Sequence, residues 1–232
     1  MTKRNAQFLA PGGRGRLITL EGGEGTGKST QLAHILRWLK QIGIEAIGTR
    51  EPGGSPGAEI LRKILLSGKV AQLGPAAEAL LFAAARIDHI DNTIEPALAA
   101  GRFVVCDRFA DSTRAYQGAQ GKADGKFLRA LERVTLGDLQ PDLTLIFDLP
   151  AAQGLARAAA RRIGSDKPDR FEAEDLYFHE SLRSAFLTIA AEDPERCAVI
   201  DASRPEENVS ETIFGVISDR LLAPAAQRAS GG

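Results

Sequence analysis

A glycine-rich segment near the amino terminus carries the residues whose types and spacing point most clearly to chemistry. Gly22, Gly27, Lys28 and Ser29 occupy the fixed positions of the phosphate-loop pattern G-x-x-x-x-G-K-[ST]. In such a loop the glycines let the backbone approach a polyphosphate, the lysine reaches the β- and γ-phosphates, and the serine hydroxyl ligates Mg²⁺. The pattern predicts a nucleotide site formed by Gly22, Gly23, Glu24, Gly25, Thr26, Gly27, Lys28, Ser29 and Thr30.

The residues on either side of this segment predict the elements that position it. Residues 17–21 form a short apolar run that is typical of a buried strand, and apolar residues recur at helical spacing from Leu32 to Ile42. A helix that begins at the loop directs its first N–H groups at a bound phosphate. The alternative is a chance match to the pattern, and the flanking strand and helix argue against it.

Strand-like runs alternate with segments of helical periodicity along the chain. The predicted strands are 17–21, 45–50, 102–107, 143–149 and 197–201. The predicted helices are 29–42, 58–66, 76–100, 123–136, 151–162, 171–191 and 206–222. This alternation predicts an α/β fold of three layers, with a five-stranded parallel sheet and helices on both faces. Residues 161–170 are polar and basic, contain Gly and Pro, and separate two predicted helices, so we expect a mobile loop there. Ligands of such sheets bind beyond the carboxyl ends of the strands.

The composition restricts the class of protein. A chain of 232 residues with 44% hydrophobic content suits one domain, which we expect at 16–222 between poorly ordered tails at 1–15 and 223–232. A net charge of −1 argues against nucleic acid as a partner. The chain has no apolar run of the roughly 18 residues that a membrane span needs, and residues 1–15 lack the apolar core of a signal peptide. A cytoplasmic protein is the simplest expectation.

The cysteines and histidines show no spacing typical of a metal site. Cys106 and Cys197 lie in apolar runs, so we expect two buried strand residues rather than a disulfide or a metal pair. His34, His89 and His179 are interpreted as ordinary, partly exposed residues.

Charged residues stand at the ends of two further predicted strands. Asp107 and Arg108 end the third strand, and Arg50 ends the second. Because parallel strands end at one edge of a sheet, we expect these residues beside the phosphate loop, where Asp107 could hold Mg²⁺ through water and the arginines could bind phosphate. The alternatives are a surface ion pair at 107–108 and an ordinary turn at 50–54, since Pro-Gly is a strong turn signal.

Two predicted helical segments carry side chains suited to a nucleobase. Phe82 and Arg86 are four residues apart and share one helix face, where a ring could stack on a base beside an arginine that binds a base carbonyl or a phosphate. Spacing alone favours the alternative of a core Phe and a surface Arg. A second segment offers hydroxyls and an amide on one helical turn, although helix capping explains such residues equally well: Ser112, Thr113, Tyr116 and Gln117.

These segments together resemble the thymidylate kinase family, whose members phosphorylate dTMP with ATP. The resemblance extends from about Arg16 to Leu222 and includes, in order, residues 21–30, 50–54, 81–86, 107–108, 112–118, 141–144 and 201–205. It implies the P-loop NTPase fold, Mg²⁺ as the metal, and a direct in-line transfer that converts dTMP to dTDP for dTTP synthesis. It also implies a homodimer that packs through helices.

The resemblance implies a role for each residue of the dTMP site. Phe82 would stack on thymine, and Arg86 would bind a base carbonyl. Thr113 would face the base edge, Tyr116 would crowd the 2′ position of the sugar, and Glu24 would meet the 3′-hydroxyl.

The same resemblance implies the residues that bind and move phosphate. Arg50 and Arg108 would clamp the acceptor phosphate. The phosphate loop has no arginine, whereas the segment at 161–170 has three. This division resembles the bacterial subtype, whose lid supplies the catalytic arginine, and it implies a short lid at about 161–171. The implied catalytic set is Lys28, Arg108, Arg161, Arg162 and Arg170, the implied metal ligands are Ser29 and Asp107, and the implied cover of adenine is Ser203 and Arg204.

Two positions depart from the family pattern. Phe109 stands where the family usually has Tyr or His after Asp-Arg, so a polar contact is missing there. Ala83 stands where some relatives have an aromatic residue. Neither position removes a charged group of the implied site.

Two other functions remain open from the sequence. Another P-loop kinase could share the loop while acting on a different nucleotide or small molecule. A GTPase-type switch would also share it, but the chain lacks an N-K-x-D motif and has no D-x-x-G after the third predicted strand.

Overall fold

A parallel sheet forms the middle layer of the structure, a computed structural model that describes residues 13–118, 124–161 and 171–223. Its five strands run side by side in the order β2-β3-β1-β4-β5, and every neighbouring pair is parallel. The strands are β1 (Leu17–Gly22), β2 (Ala46–Arg50), β3 (Phe103–Asp107), β4 (Leu143–Asp148) and β5 (Cys197–Asp201). The predicted five-stranded parallel sheet is therefore confirmed.

The helices that connect and cover these strands are, within the described residues, α1 (Lys28–Gln41), α2 (Pro56–Leu66), α3 (Pro75–His89), α4 (Glu95–Ala99), α5 (Ala110–Gly118), α6 (Gly125–Leu136), α7 (Ala151–Arg161), α8 (Leu176–Glu192) and α9 (Glu206–Ile217). A 3₁₀ turn spans Lys69–Leu73, and π-helical turns span Ile90–Ile94 and Ser218–Leu222. None of these helices combines the length and the hydrophobicity that a membrane span requires.

Local chemistry explains where the helices differ from the predicted ones. The helix predicted at 76–100 is interrupted by the π-helical turn before α4, whose first turn contains Pro96, a residue with no N–H to donate to a helical hydrogen bond. The helix predicted from residue 171 begins at Leu176, because the Asp175 carboxylate accepts a hydrogen bond from the Phe178 N–H at 2.8 Å and caps it. Helix α5 extends the turn predicted at 112–118 back to Ala110.

Apolar side chains cover both faces of the sheet, which gives the predicted three layers. On one face, Ile18 and Leu20 of β1 pack with Ile35 of α1 and Ile213 of α9. On the other, Leu17 packs with residues of α4, and a further cluster joins β4 to α5 and α8. All six residues of the central strand β1 are buried. The loop that follows β1 therefore emerges at the middle of the carboxyl edge.

The structure shows how far the cysteines and histidines are buried. Cys106 and Cys197 are buried strand residues and are not joined in a disulfide, as expected. His89 and His179 are buried, at 0% and 4% exposure, so the expectation of partly exposed histidines is wrong for these two. Helical spacing identified their helices, but it could not show which polar groups the sheet would bring against them.

Candidate active site

The phosphate loop follows β1 and ends where α1 begins at Lys28. Gly25 has φ +67°, and a Cβ there would lie 1.9 Å from the Gly154 carbonyl oxygen of α7, so only glycine fits. The residue before α1 is Gly27, with φ 91°, and within the described chain no side chain caps the N–H groups of the first helical turn. These N–H groups remain available to an anion beside the loop.

Lys28 lies beneath the loop, with 7% of its surface exposed. Its ammonium donates to the carbonyl oxygens of Gly22 and Gly23 at 3.1 and 2.7 Å. Burial, reinforced by the positive charge of Arg108, lowers the pKa of Lys28 to about 8, although Asp107 and Glu24 oppose this effect. The ammonium is thus charged at neutral pH but loses its proton more easily than a surface lysine.

Arg108 reaches the same loop from β3. Its Nη1 donates to the Gly22 carbonyl oxygen at 3.1 Å, and its Nη2 pairs with the Glu24 carboxylate. Its backbone has φ 69°, in the left-handed region, where a non-glycine residue is strained. Such strain is concentrated at functional sites. The structure therefore places Lys28 and Arg108 side by side on one carbonyl oxygen, as the strand-end argument requires.

Glu24 is the acidic partner of these cations. It accepts hydrogen bonds from Arg108 and, at 3.0 Å, from the Tyr116 hydroxyl. Burial on its own would raise the pKa of Glu24, but the positive charges of Arg108 and Lys28, with the Tyr116 hydrogen bond, lower it to about 2. The carboxylate is ionised at every pH at which the protein would work.

Ser29 and Asp107 supply oxygen atoms beside the loop. The Ser29 hydroxyl donates to Asp107 Oδ2 at 2.7 Å. In the described residues no group of three His, Cys, Asp or Glu side chains could hold a metal by itself. A hard cation such as Mg²⁺, which binds through one or two protein oxygens together with substrate phosphates and water, fits this pair.

An open cavity of about 240 Å³ lies beside the cations. It is lined by the predicted substrate residues whose side chains the structure describes, namely Glu24, Arg50, Phe82, Arg86, Arg108, Ser112, Thr113 and Tyr116. The structure therefore brings this whole set together. The remaining predicted member, Gln117, belongs to α5, but its side chain lies outside the described part of the chain.

Arg86 is buried at the wall of this cavity, with 4% exposure. The alternative of a surface arginine is therefore wrong. Its Nε donates to Glu51 Oε2 at 2.7 Å, and its Nη2 donates to the Phe109 carbonyl oxygen and the Thr113 hydroxyl at 3.1 and 2.9 Å. Its guanidinium carbon lies 5.3 Å from the centre of the Phe109 ring. The unusual Phe109 thus supports Arg86 by a cation–π contact.

Glu21 and Glu51 belong to segments that the sequence places at the site, but the sequence assigned neither residue a role. Glu21 lies at the end of β1, fully buried, and accepts hydrogen bonds from the N–H groups of Phe109 and Ser112 and from the Ser112 hydroxyl. Burial, followed by the negative charge of Asp111, raises the pKa of Glu21 to about 8. A carboxyl group within a short, fully buried strand was the available signal.

Arg50 and Phe82 line the outer part of the cavity. Arg50 is half exposed and pairs with Glu59 at 2.8 Å. The Phe82 ring lies 6.3 Å from the ring of Phe171, another cavity residue that sequence reasoning did not single out. Both predicted residues are therefore open to a ligand that enters the cavity.

The remaining predicted residues do not line the cavity or lie outside the described part of the chain. Ser203 and Arg204 follow β5, which is separated from β1 by β4, and Ser203 bonds to Asp201 within its own turn. Arg161 ends α7 and is exposed. Two further predicted lid arginines, Arg162 and Arg170, fall outside the described residues.

Comparison with known proteins identifies the family. The thymidylate kinase family model matches residues 20–213. The thymidylate kinase of Bradyrhizobium diazoefficiens is 57% identical over 214 residues, which cover 92% of this chain and 93% of that protein. That of Afipia carboxidovorans is 58% identical over 217 residues, covering 94% and 95%.

A solved structure agrees with these sequence matches. The crystal structure of thymidylate kinase from Ehrlichia chaffeensis superposes with a TM-score of 0.71 at 30% identity, over 88% of this chain and 99% of that chain. The resemblance deduced from the motifs is therefore confirmed: this chain belongs to the thymidylate kinase family.

Proposed function

We propose that the protein transfers the γ-phosphoryl group of ATP to the 5′-phosphate of dTMP, forming dTDP and ADP for dTTP synthesis. The observation that carries this proposal is the shared bonding of Lys28 and Arg108 to the Gly22 carbonyl oxygen. Lys28 belongs to the loop for the donor, whereas Arg108 lines the cavity for the acceptor. Two phosphate groups can therefore meet between these cations.

The donor side requires groups that bind a polyphosphate. The loop backbone, the uncapped start of α1 and the Lys28 ammonium would hold the phosphates. Ser29 and, through water, Asp107 would hold Mg²⁺, which supplies positive charge to the phosphate oxygens when it is bound. We assign the cover of adenine to Ser203 and Arg204.

The acceptor side requires no general base. A phosphate monoester has a second pKa near ~6, so the acceptor is largely dianionic at neutral pH. The remaining difficulty is repulsion between two anions, and preorganised cations reduce it. Arg108 and Arg50 would bind the acceptor phosphate, and lid arginines would approach from the other side: Arg161, Arg162 and Arg170.

The cavity walls suit a thymine deoxynucleotide. Phe82 would stack on the base, while Arg86 would donate to a carbonyl and Thr113 would face the base edge. Tyr116 lies against Glu24 and would occupy the space that a 2′-hydroxyl needs, which favours deoxyribose. Glu24 would accept from the 3′-hydroxyl, while Ser112 and Gln117 complete the proposed site from α5.

A second copy of the chain would cover an apolar surface. Large hydrophobic side chains are exposed on α2, α3 and α6: Ile60, Ile64, Leu80, Ile87 and Val134. These helices pack beside one another, α2 on α3 and α3 on α6. Since such exposure on adjoining helices is typical of an interface, we propose a homodimer that buries it. We also place the enzyme in the cytoplasm, where its two free cysteines would stay reduced.

A coupled assay of ADP release tests the proposal. ADP should form in proportion to the dTMP added, and dUMP, UMP and CMP should be poorer acceptors. Almost no ADP should form when ATP is present without any acceptor. Preference for another monophosphate would indicate a different P-loop kinase. Slow GTP hydrolysis that ignores every acceptor would indicate a switch protein. The Lys28→Ala variant, folded but inactive, serves as the control.

A further inference from the structure

We infer that His89 and Thr49 are positioning residues that orient Arg86 through Glu51 and thereby determine how strictly the enzyme selects its base. This inference rests on the proposed function of Arg86 as the donor to a base carbonyl. Thr49, His89 and Glu51 need not touch the substrate for this. Their effect would reach the cavity through the orientation of one guanidinium group.

The hydrogen bonds of Arg86 leave one nitrogen for a ligand. A guanidinium has five N–H donors in a rigid plane, and three of them are used by Glu51, the Phe109 carbonyl and the Thr113 hydroxyl. Within the described residues, Nη1 has no hydrogen-bond partner. It is not fully buried either, since the buried polar atoms without a partner do not include it. Arg86 lines two cavities, the large one beside the loop and a smaller one beside α6. Because the group is planar, fixing Nε and Nη2 also fixes Nη1, which we assign to the larger cavity.

Glu51 holds Arg86 from one side and is itself held from the other. Its side chain is 5% exposed, and both of its oxygen atoms are used. Oε2 accepts from Arg86 Nε at 2.7 Å, and Oε1 accepts from His89 Nδ1 at 3.0 Å. A carboxylate that lost its second partner could rotate about its last bond and carry Arg86 with it.

His89 joins this carboxylate to the sheet. The ring is fully buried, and its Nε2 lies 2.7 Å from the Thr49 hydroxyl oxygen of β2. Since the Glu51 carboxylate can only accept, Nδ1 carries a hydrogen, and in the neutral ring the Thr49 hydroxyl then donates to Nε2. The two bonds fix the ring at both ends, so its position is set by a rigid strand.

The turn after Glu51 closes this arrangement. Gly54 has φ +86°, and a Cβ there would lie 2.4 Å from both His89 Nε2 and Thr49 Oγ1. The Gly54 carbonyl oxygen in turn accepts from the Thr93 hydroxyl at 2.8 Å. The Gly54 backbone therefore packs directly on the hydrogen bond between His89 and Thr49.

Base chemistry determines what a displaced Arg86 would change. We assign Arg86 to the carbonyl at position 4, because thymine, uracil and cytosine all share a carbonyl at position 2. Position 4 carries a carbonyl oxygen in thymine and uracil and an amino group in cytosine. A fixed N–H donor favours the carbonyl and opposes the amino group, because two donors cannot bond to each other. Loosening Arg86 should therefore reduce preference for dTMP over dCMP, while preference for dTMP over dUMP, which depends on the methyl group, should stay unchanged.

The experiment measures both preferences as ratios of kcat/KM in the full-length enzyme. In His89→Leu, which removes both ring hydrogen bonds, we expect the ratio of dTMP to dCMP to fall about tenfold. His89→Asn, which keeps a donor near Glu51, should recover much of that loss. Thr49→Val should lower the ratio of dTMP to dCMP by a smaller factor, whereas Thr49→Ser should leave it unchanged. These two variants provide the test if His89→Leu fails to fold.

Controls separate this inference from the proposed function. The KM for ATP and the ratio of dTMP to dUMP should stay within about twofold of the wild type, since neither depends on Arg86. If Arg86→Lys loses selectivity while the His89 and Thr49 variants keep it, the positioning role is overturned and the role of Arg86 stands. The positioning role is likewise overturned if the His89 and Thr49 variants lower the melting temperature without changing selectivity. If Arg86→Lys itself keeps selectivity, the assigned role of Arg86 is wrong.

Discussion

The Lys28 ammonium and the Arg108 guanidinium donate to a single acceptor, the carbonyl oxygen of Gly22, each at 3.1 Å. Lys28 is the first residue of α1, whereas Arg108 follows β3 and has a strained backbone with φ 69°. Two positive charges held this close repel each other, and Glu24 offsets part of that repulsion. Asp107 and Glu21 also act on these cations, and a pair of phosphate groups would provide more negative charge.

Arg108 should be essential for turnover rather than for folding. We expect Arg108→Gln to reduce kcat on the order of 10³-fold, by analogy with arginines that stabilise phosphoryl transfer. Arg108→Lys should recover only part of this loss, since an ammonium lacks the planar fork. Steady-state kinetics check the result. Arg14→Gln, which removes a surface ion pair with Glu95, is the matched control and should be silent.

The charge of Lys28 should limit activity at high pH. Its pKa of about 8 in the free protein means that the ammonium deprotonates as the pH rises through that value. We expect kcat/KM for ATP to decline above about pH 8, because this parameter reports the free enzyme. A bound polyphosphate stabilises the ammonium, so kcat should stay level to higher pH. A kcat/KM profile that is flat up to pH 9.5 would contradict this assignment.

Glu21 should stabilise the fold most at low pH. Because its folded pKa, about 8, exceeds the ordinary value of 4.5, the unfolded chain loses this proton first as the pH rises. The stability that Glu21 contributes is complete below pH 4.5 and is lost as the pH rises towards 8. In thermal unfolding, the melting temperature of Glu21→Gln should therefore rise relative to that of the wild type as the pH increases from 5 to 8.

Removing the Glu21 side chain should have a different effect from neutralising it. Glu21→Ala leaves the N–H groups of Phe109 and Ser112 without an acceptor, which should cost about 2–4 kcal/mol of the free energy of unfolding. Urea denaturation measures this loss. Equal stability of the Ala and Gln variants would show that these hydrogen bonds contribute little.

Asp107 should set the requirement for Mg²⁺. Because its carboxylate accepts from Ser29 beside the loop, Asp107→Asn keeps the shape of the pair but removes the negative charge. We expect the Mg²⁺ concentration for half-maximal rate to rise about tenfold, since second-shell oxygens typically affect metal affinity by that much. The affinity for dTMP alone, from calorimetry, should not change. An unaltered Mg²⁺ requirement would exclude Asp107 from the site.

The apolar surface of α3 should hold two copies together. A charge buried at an interface is strongly unfavourable, so Leu80→Arg should convert the dimer to a monomer in sedimentation experiments. Val199→Arg is the matched control, since Val199 is similarly exposed but lies on β5. A wild-type protein that sediments as a monomer would rule out the proposed dimer.

The sequence was sufficient for the frame of the site. The phosphate-loop pattern has fixed spacing, so β1, the loop and α1 follow from it, and strand ends at one edge account for Asp107 and Arg108. Helical spacing also placed Phe82 and Arg86 on one face. It did not identify the π-helical turn that separates α3 from α4, although Pro96 was a signal for an interruption there.

The support behind the site could not be read from the sequence. Glu51 and Arg86 are 35 residues apart, and their pairing depends on how α3 packs against the loop after β2. For the same reason His89 resembled a surface residue, although it lies between Thr49 and Glu51. Local patterns indicate which face a residue occupies, whereas partners from distant strands emerge only when the sheet has formed.

The central claim is that two nucleotides meet end to end between Lys28 and Arg108. Calorimetric titration with an adenosine and a thymidine joined through their 5′ positions by a polyphosphate tests it most directly. We expect this compound to bind at least about a hundredfold more tightly than ATP or dTMP alone, and Arg108→Gln to remove most of that gain. Binding no tighter than that of ATP alone would contradict the account.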